Sequence, residues 1–399
     1  MLLMLVMPLT ANSTASSSAK LLIISIDGLR WDYLSLHQPR FLQQLAAQSA
    51  QVQRLQPVYP SKTFPNHLSL ATGLYPEHHG IVANRFYSPP LQRAYKLSDP
   101  KAVTDAAFYQ GTPIWSLAEQ QGRTSAVFFW PGSEAKIAGF RPSYFKQYDS
   151  KTSHRQRIRQ VLQWFRQRQV DLAMVYFSSV DRAGHDWGPE SFWTKRALRS
   201  LDSKLEQLFT ELAKLPLAVN VIITGDHGMR DVTAMPTLLL DQRLASWRQF
   251  RQIFRISGSG STVRFYHRGG ANKAADLRRL AQLLGDHSDS QFFLQPQIPT
   301  ELHYRDHPAV GDALLISNSH FITFSDAKSP PAGFHGFDPK VDDQMDTLLL
   351  GFGPAFAAGS RVDKATVVDV YPLAAKVLGL EISEPIDGRL ANLAGLLAE

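Results

Sequence analysis

No cysteine occurs among the 399 residues of the chain. That excludes disulfides, thiolate metal ligands and a lipid-modified N-terminal cysteine. Any bound metal must rest on His, Asp and Glu, a donor set that suits zinc and related divalent ions. Long apolar runs are scarce as well. The N-terminal one, Met1 to Leu9, is too short to cross a bilayer, so no transmembrane segment is expected in the mature chain. A Ser/Thr/Ala tract follows it to Ala19. Residues 1–19 thus have the apolar core and small-residue tail of an export signal, without its usual basic start. A periplasmic or secreted location is the expectation; the alternative is a disordered N-terminus. Dense Lys/Arg blocks are also missing, so no stable nucleic-acid partner is expected.

What is present is ordinary for a soluble enzyme: 44% hydrophobic and 19% charged residues. The formal net charge of +7 favours the approach of a small anionic substrate. Apolar runs at 21–26, 124–130, 171–177, 219–224 and 347–352 are continuous, not alternating. Such runs mark strands of a parallel sheet covered on both faces. Between them, 154–169 carries Ile158, Val161, Leu162 and Phe165 at helical spacing. Residues 191–213 carry Leu198, Leu201, Leu205, Leu208 and Leu212 in the same way, and 366–379 follows suit. The alternation predicts an α/β fold, a doubly wound, mostly parallel sheet flanked by helices. The texture changes from 237 to 330. A basic helix-like start leads to Gly258-Ser259-Gly260, then to strand candidates at 262–267, 312–317 and 320–324 and a helix candidate at 272–285. This predicts a core of 20–236 and 331–399 interrupted by a small α+β insertion.

In open α/β sheets, ligands bind beyond the carboxyl ends of the strands. Asp27, Asp181 and Asp226 sit at or just after such ends. His185 lies four residues after Asp181, His227 directly follows Asp226, and His335 precedes the fifth strand. One Asp-Gly alone is a turn and one His alone is a surface or core residue. Six such ligands brought together suffice for two metal ions, with positions left open for a nucleophile and a substrate oxygen. A second constellation is Pro60-Ser61-Lys62-Thr63-Phe64-Pro65. A hydroxyl between two prolines is held in a restricted backbone, and a metal can activate it without a general base. The spacing leaves Ser61 and Thr63 both open. Asn84, after Gly80-Ile81-Val82-Ala83, offers an amide donor for a phosphoryl oxygen. His67, His78 and His79 are assigned to structure.

Taken together, SIDGLR at 25–30, YPSKTFPNHLSLATGLYPEHHGIVAN at 59–84, GTPIW at 111–115, FFWPGSE at 128–134, VDRAGHDWGP at 180–189, TGDHGM at 224–229 and FHGFDP at 334–339 resemble the nucleotide pyrophosphatase/phosphodiesterase family of the alkaline phosphatase superfamily. The resemblance implies an alkaline-phosphatase-like fold and two zinc ions. Asp181, His185 and His335 would hold one zinc, and Asp27, Asp226 and His227 the other. Thr63 would coordinate the second zinc and attack phosphorus, giving a threonyl-phosphate intermediate. Asn84 and the Thr63 N–H would hold a phosphoryl oxygen. Phe64, with Tyr144 or Phe145, would clamp a nucleobase, and Trp130 would line that subsite. Gln110 stands where relatives that prefer nucleoside triphosphates often carry lysine. The implied activity is hydrolysis of nucleotide diesters or pyrophosphates to nucleoside 5′-monophosphates. The alternatives are a choline-type lysophospholipid or glycerophosphodiester phosphodiesterase, and a non-catalytic metal-binding protein on the same scaffold.

Overall fold

A computed structural model describes residues 19–399 apart from 169, 245, 246, 286 and 328. The signal-like segment therefore lies almost wholly outside the described residues. In chain order the main sheet receives β1 (Lys20–Ile26), β2 (Ala50–Gln56), β3 (Ser125–Phe128), β4 (Tyr144–Lys146), β5 (Leu172–Phe177) and β6 (Val219–Thr224). An insertion contributes β7 (Phe254–Ser259), β8 (Thr262–His267), β9 (Gln291–Leu294) and β10 (Ala313–Ile316), and β11 (Thr347–Phe352) and β12 (Arg361–Thr366) complete the main sheet. The helices that cover the sheets and carry site residues are α1 (Thr63–Thr72), α2 (His154–Gln163), α3 (Ser179–Trp187), α4 (Phe192–Leu212), α5 (Lys273–Leu284) and α6 (Val370–Leu378).

The eight-stranded sheet runs β12-β2-β11-β6-β1-β5-β3-β4. Its centre shows why the apolar runs are continuous. Along β1, Leu21 and Ile23 face one core while Leu22, Ile24 and Ile26 face the other. Helices α1 and α6 cover the first face, and α2 and α4 the second. The five leucines of α4 form one buried stripe, each worth roughly 1.5–3 kcal/mol when withdrawn from water. This is the doubly wound, mostly parallel architecture. One strand departs from it: β11 runs antiparallel to both β6 and β2. Burial on both faces dictates an unbroken apolar run whatever the strand direction, so composition could not reveal the reversal. The run expected over 124–130 stops at Phe128, because Phe129 turns to φ 68°.

Within the insertion β7-β8-β10-β9 form an antiparallel sheet. Leu280 and Leu284 of α5 pack on Val263, Phe265 and Leu315. Strand β7 takes in Gly258-Ser259 and the residues before them, where the basic sequence suggested a helix-like start. Phe321–Thr323, also within the insertion, pairs with Thr237–Leu239 in a separate parallel pair.

Candidate metal centre and cleft

Strands β6, β1 and β5 are neighbours, so whatever follows their carboxyl ends is brought side by side. Asp27 directly follows β1, Asp226 lies two residues past β6, and Asp181 sits in the first turn of α3, just after β5. The Asp27 N–H donates to the Phe177 carbonyl (2.9 Å) and the Asp181 N–H to the Asp27 carbonyl (3.1 Å). Gly28 makes this approach feasible. It has φ 70°, and a Cβ there would stand 3.0 Å from the Asp181 Cα. Its N–H donates to Asp226 Oδ1 (3.2 Å).

Among these strand-end residues, three carboxylate oxygens are left buried without a hydrogen-bond partner: Asp27 Oδ1, Asp181 Oδ1 and Asp226 Oδ2. Imidazole nitrogens face them. His227 Nε2 is 3.1 Å from Asp226 Oδ2 and 3.5 Å from Asp27 Oδ1. His185 Nε2 and His335 Nε2 are 3.4 and 3.7 Å from Asp181 Oδ1. The backbone orients all three rings. Nδ1 of His185 meets the Gly333 carbonyl (2.7 Å), that of His335 the Ser61 carbonyl (2.8 Å), and that of His227 the Gly228 carbonyl (2.8 Å). A carbonyl only accepts, so each Nδ1 carries the proton and each Nε2 lone pair is turned to the cluster.

These donors form two groups whose ligand atoms lie within 4.8 Å of one another: Asp27 with Asp226 and His227, and Asp181 with His227 and His335. The first matches one expected trio. In the second, His227 stands where His185 was expected, and its ring stacks on His335 at 3.7 Å. His185 reaches that group through Asp181. Orphaned carboxylate oxygens beside aligned imidazole nitrogens fit a pair of divalent cations. The charges of the cluster bear on one another: against its burial, the His227 imidazole is raised by Asp226. Burial, then Asp181 and Asp226, push the Asp27 carboxyl well above its usual range. Burial also raises Asp226, but the His227 and His67 imidazoles outweigh it and hold that carboxyl well below. Burial, together with His227, Lys62 and His185, drives His335 well down, towards the neutral form that can ligate.

Thr63 opens α1, with Oγ1 3.4 Å from His227 Nε2. The Ser61 hydroxyl is committed elsewhere. It donates to the Phe337 carbonyl (2.8 Å) and accepts from the Gly336 N–H (3.0 Å). Thr63 is therefore the hydroxyl of this pair that faces the cluster. Asn84 Oδ1 accepts the Phe64 N–H (2.9 Å), which leaves its NH₂ for the cleft. That cleft, about 570 Å³, is lined by Thr63, Phe64, Asn84 and four residues of the cluster, Asp27, Asp181, His185 and His335, with Phe129, Trp130 and Tyr148 among its aromatics.

The aromatic expectations need correction. Tyr144 and Phe145 do not line the cleft. They lie on edge strand β4, under Arg168 and Arg141 respectively. Tyr148 lines it instead, beyond the end of that short strand and edge-on to Phe129. Trp130 is on the wall but only 1% exposed, and its indole N–H is spent on the His67 carbonyl (3.1 Å).

The three histidines assigned to structure are held by hydrogen bonds, and His67 Nδ1 also lies 3.3 Å from Asp226 Oδ2. His67 joins Ser25 Oγ (2.8 Å) to the Thr63 carbonyl (2.8 Å) and so ties α1 to β1. His79 is buried among Ser69, Pro65 and Ile81, and His78 pairs with Asp387 at the surface. Two site residues carried no sequence signal beyond their neighbourhood. Tyr176 donates its hydroxyl to Asp27 Oδ2. Lys62 donates to the His335 carbonyl and lies 3.6 Å over the Phe334 ring; burial, with Arg264 adding, lowers its ammonium to about 7.

The profile "Type I phosphodiesterase / nucleotide pyrophosphatase" matches residues 21–338. Bis(5'-adenosyl)-triphosphatase enpp4 of Xenopus laevis is 30% identical over 391 residues, covering 96% of this chain and 83% of that protein. The ectonucleotide pyrophosphatase/phosphodiesterase family member 1 of Homo sapiens is 30% identical over 393 residues, and the match spans 41% of its length. Among solved structures, murine ectonucleotide pyrophosphatase/phosphodiesterase 5 superposes with a TM-score of 0.87 at 28% identity, covering 95% of this chain and all of that one. An inactive threonine-to-alanine variant of it, in complex with AMP, superposes equally well. With its motifs in family order, its sheet and its two ligand clusters in place, the chain belongs to the type I phosphodiesterase/nucleotide pyrophosphatase family.

Proposed function

We propose that the protein is a two-zinc phosphodiesterase that hydrolyses nucleotide diesters or pyrophosphates to nucleoside 5′-monophosphates. The observation that carries this is the position of Thr63: a hydroxyl at a helix N-terminus, turned to the ligand cluster with His227 Nε2 at 3.4 Å, and opening on a cleft with aromatic walls. Asp27, Asp226 and His227 would hold one ion, and Asp181, His185 and His335 the other. Ions there lower the pKa of a coordinated hydroxyl and offset charge on a leaving oxygen.

The chain's own groups supply the rest. Thr63 Oγ1 forms a bond to phosphorus as the ester oxygen departs, and water then cleaves the threonyl phosphate and restores the hydroxyl. The Asn84 NH₂ donates to a phosphoryl oxygen as its charge grows. The N-terminal end of α1 adds its dipole in the same direction. Phe64 and Tyr148 offer flat apolar faces to a base. The AMP bound to the murine relative supports this class of substrate. An exported location is proposed on the sequence of residues 1–19 alone.

The test is turnover of a chromogenic nucleotide diester by wild type and Thr63→Ala. The variant should lose on the order of 10⁴-fold or more in rate and keep its metal, since Asp and His supply six ligands without it. Wild-type rates in Thr63→Ala would remove the covalent mechanism.

A further inference from the structure

The sheet of the insertion turns two different faces to its surroundings. Side chains alternate along a strand, and on β8 Val263 and Phe265 join the insertion's own core. Thr262, Arg264 and Tyr266 point the other way and are equally buried. The Thr262 hydroxyl meets that of Tyr59 (2.7 Å), the residue before Pro60 of the Thr63 loop. The Tyr266 hydroxyl accepts the Tyr87 N–H (3.4 Å). Arg264 reaches the segment that carries Asn84. Its Nη2 donates to the Arg85 carbonyl (3.4 Å) and its Nη1 to the Tyr304 hydroxyl (3.1 Å). Tyr304, between β9 and β10, donates in turn to the Val82 carbonyl (2.6 Å). Carbonyls on both sides of Asn84 are thus held by one guanidinium, directly and through a tyrosine.

Arg264 is energetically unfavourable in that place. It is 4% exposed, makes no ion pair among the described residues, and leaves its Nε buried without a partner. Arginine does not give up its proton in proteins, so a cation is buried here among hydroxyls and carbonyls. An apolar side chain of similar size would join the two layers without that desolvation cost. What an apolar side chain could not do is donate in a fixed fork at two points.

We propose that Arg264 and Tyr304 are positioning residues for Asn84, so that the insertion aims the donor to the phosphoryl oxygen. The Asn84 NH₂ helps only at hydrogen-bond distance from an oxygen whose charge grows in the transition state, and a misplacement of about 1 Å can lose on the order of 10²-fold in rate. Three holds fix it. The Phe64 N–H takes its Oδ1 (2.9 Å), the Leu97 N–H takes its backbone carbonyl (3.0 Å), and the Arg264–Tyr304 fork takes the carbonyls to either side. This rests on the donor role given to Asn84 and adds the residues that direct it.

The experiment is a double-mutant cycle on turnover of a chromogenic nucleotide diester, with Tm and bound metal measured alongside. Arg264→Met keeps the bulk of the side chain and removes the fork. It should lower kcat by roughly 10-fold, with KM within about twofold of wild type. Its Tm should hold or rise, because the buried cation is gone, and its metal content should hold. Tyr304→Phe deletes one hydroxyl and should act in the same direction. In an Asn84→Ala background neither should lose more than about a further twofold, because both act through that amide. Arg264→Lys keeps the charge without the fork and should resemble Arg264→Met. Losses that multiply with that of Asn84→Ala would overturn the clamp, as would a fall in kcat that only follows a fall in Tm or in bound metal. So would wild-type kcat in Arg264→Met and Tyr304→Phe, or full activity in Arg264→Lys, which would leave charge alone at work. Wild-type rates in Asn84→Ala would instead remove the donor role itself, and the clamp with it.

Discussion

Asn84 has two ends with different duties. Its Oδ1 holds the Phe64 N–H in the first turn of α1, and its NH₂ faces the cleft. Asn84→Ala removes both, whereas Asn84→Asp keeps the acceptor and replaces the donor with a carboxylate turned towards the phosphoryl group. Asn84→Ala should lower kcat by roughly 10²-fold. Asn84→Asp should cost at least as much in kcat while leaving Tm near wild type. A mild kinetic effect of Asn84→Asp would remove the donor role. His79 shows the opposite kind of residue, important only to the fold. Burial, with His307 adding, lowers it to about 3, and its Nδ1 accepts the Ile81 N–H, so the ring must stay neutral. In the unfolded chain histidine titrates near about 6.5. Between those values the unfolded state binds more protons, so stability rises with pH. The His79 contribution is thus complete above about pH 6.5 and is lost as pH falls towards about 3. In metal-free protein, His79→Gln should flatten the fall of Tm over that window. An acid limb identical to wild type would show that His79 is not part of it.

At the scale of elements, the site depends on how closely β1, α3 and α1 approach. Gly28 is the point of closest approach. Its positive φ alone would cost an alanine about 1–2 kcal/mol, and a Cβ 3.0 Å from the Asp181 Cα must also displace α3. Gly28→Ala should therefore lower Tm and, by moving Asp181, reduce the metal bound per chain below two. Elemental analysis decides: a destabilised variant that still holds two ions would mean that α3 is free to shift without opening the cluster. Among the elements, those buried on both faces were legible in the sequence, and α4 was legible from its leucine stripe. Strand β2 was not, because it buries one face only and its alternating polar residues give no apolar run. Strand β12 and the three-residue β4 lie at the sheet edges, where burial demands little of composition.

For the molecule as a whole, the three orphaned carboxylates are a burden that a cation relieves. They are desolvated and repel one another, so the metal-free state should be the less stable one. Treatment with a chelator should lower Tm and abolish activity together, and zinc should restore both. An active protein without a bound transition metal would sink the two-ion reading. A drop in activity with no change in Tm would mean that the cluster relaxes freely without its ions.

Chemistry and local pattern were enough to name the candidate ligands. An Asp or His after a buried apolar run falls at a strand end, and strand ends in this architecture face one cleft. The absence of cysteine fixed the donor type. Tertiary structure alone decided between neighbours that the sequence treats alike. Ser61 and Thr63 have the same chemistry two residues apart, and the Phe337 carbonyl and Gly336 N–H withdraw one of them. Tyr144 and Tyr148 are both aromatics after the same loop, but β4 places the first at the sheet edge and the second at the cleft. His227 lies within reach of both ligand groups, and His335 stacks on it from a distant part of the chain. Contacts of that kind depend on distances between elements, which a one-dimensional pattern of residue types does not contain.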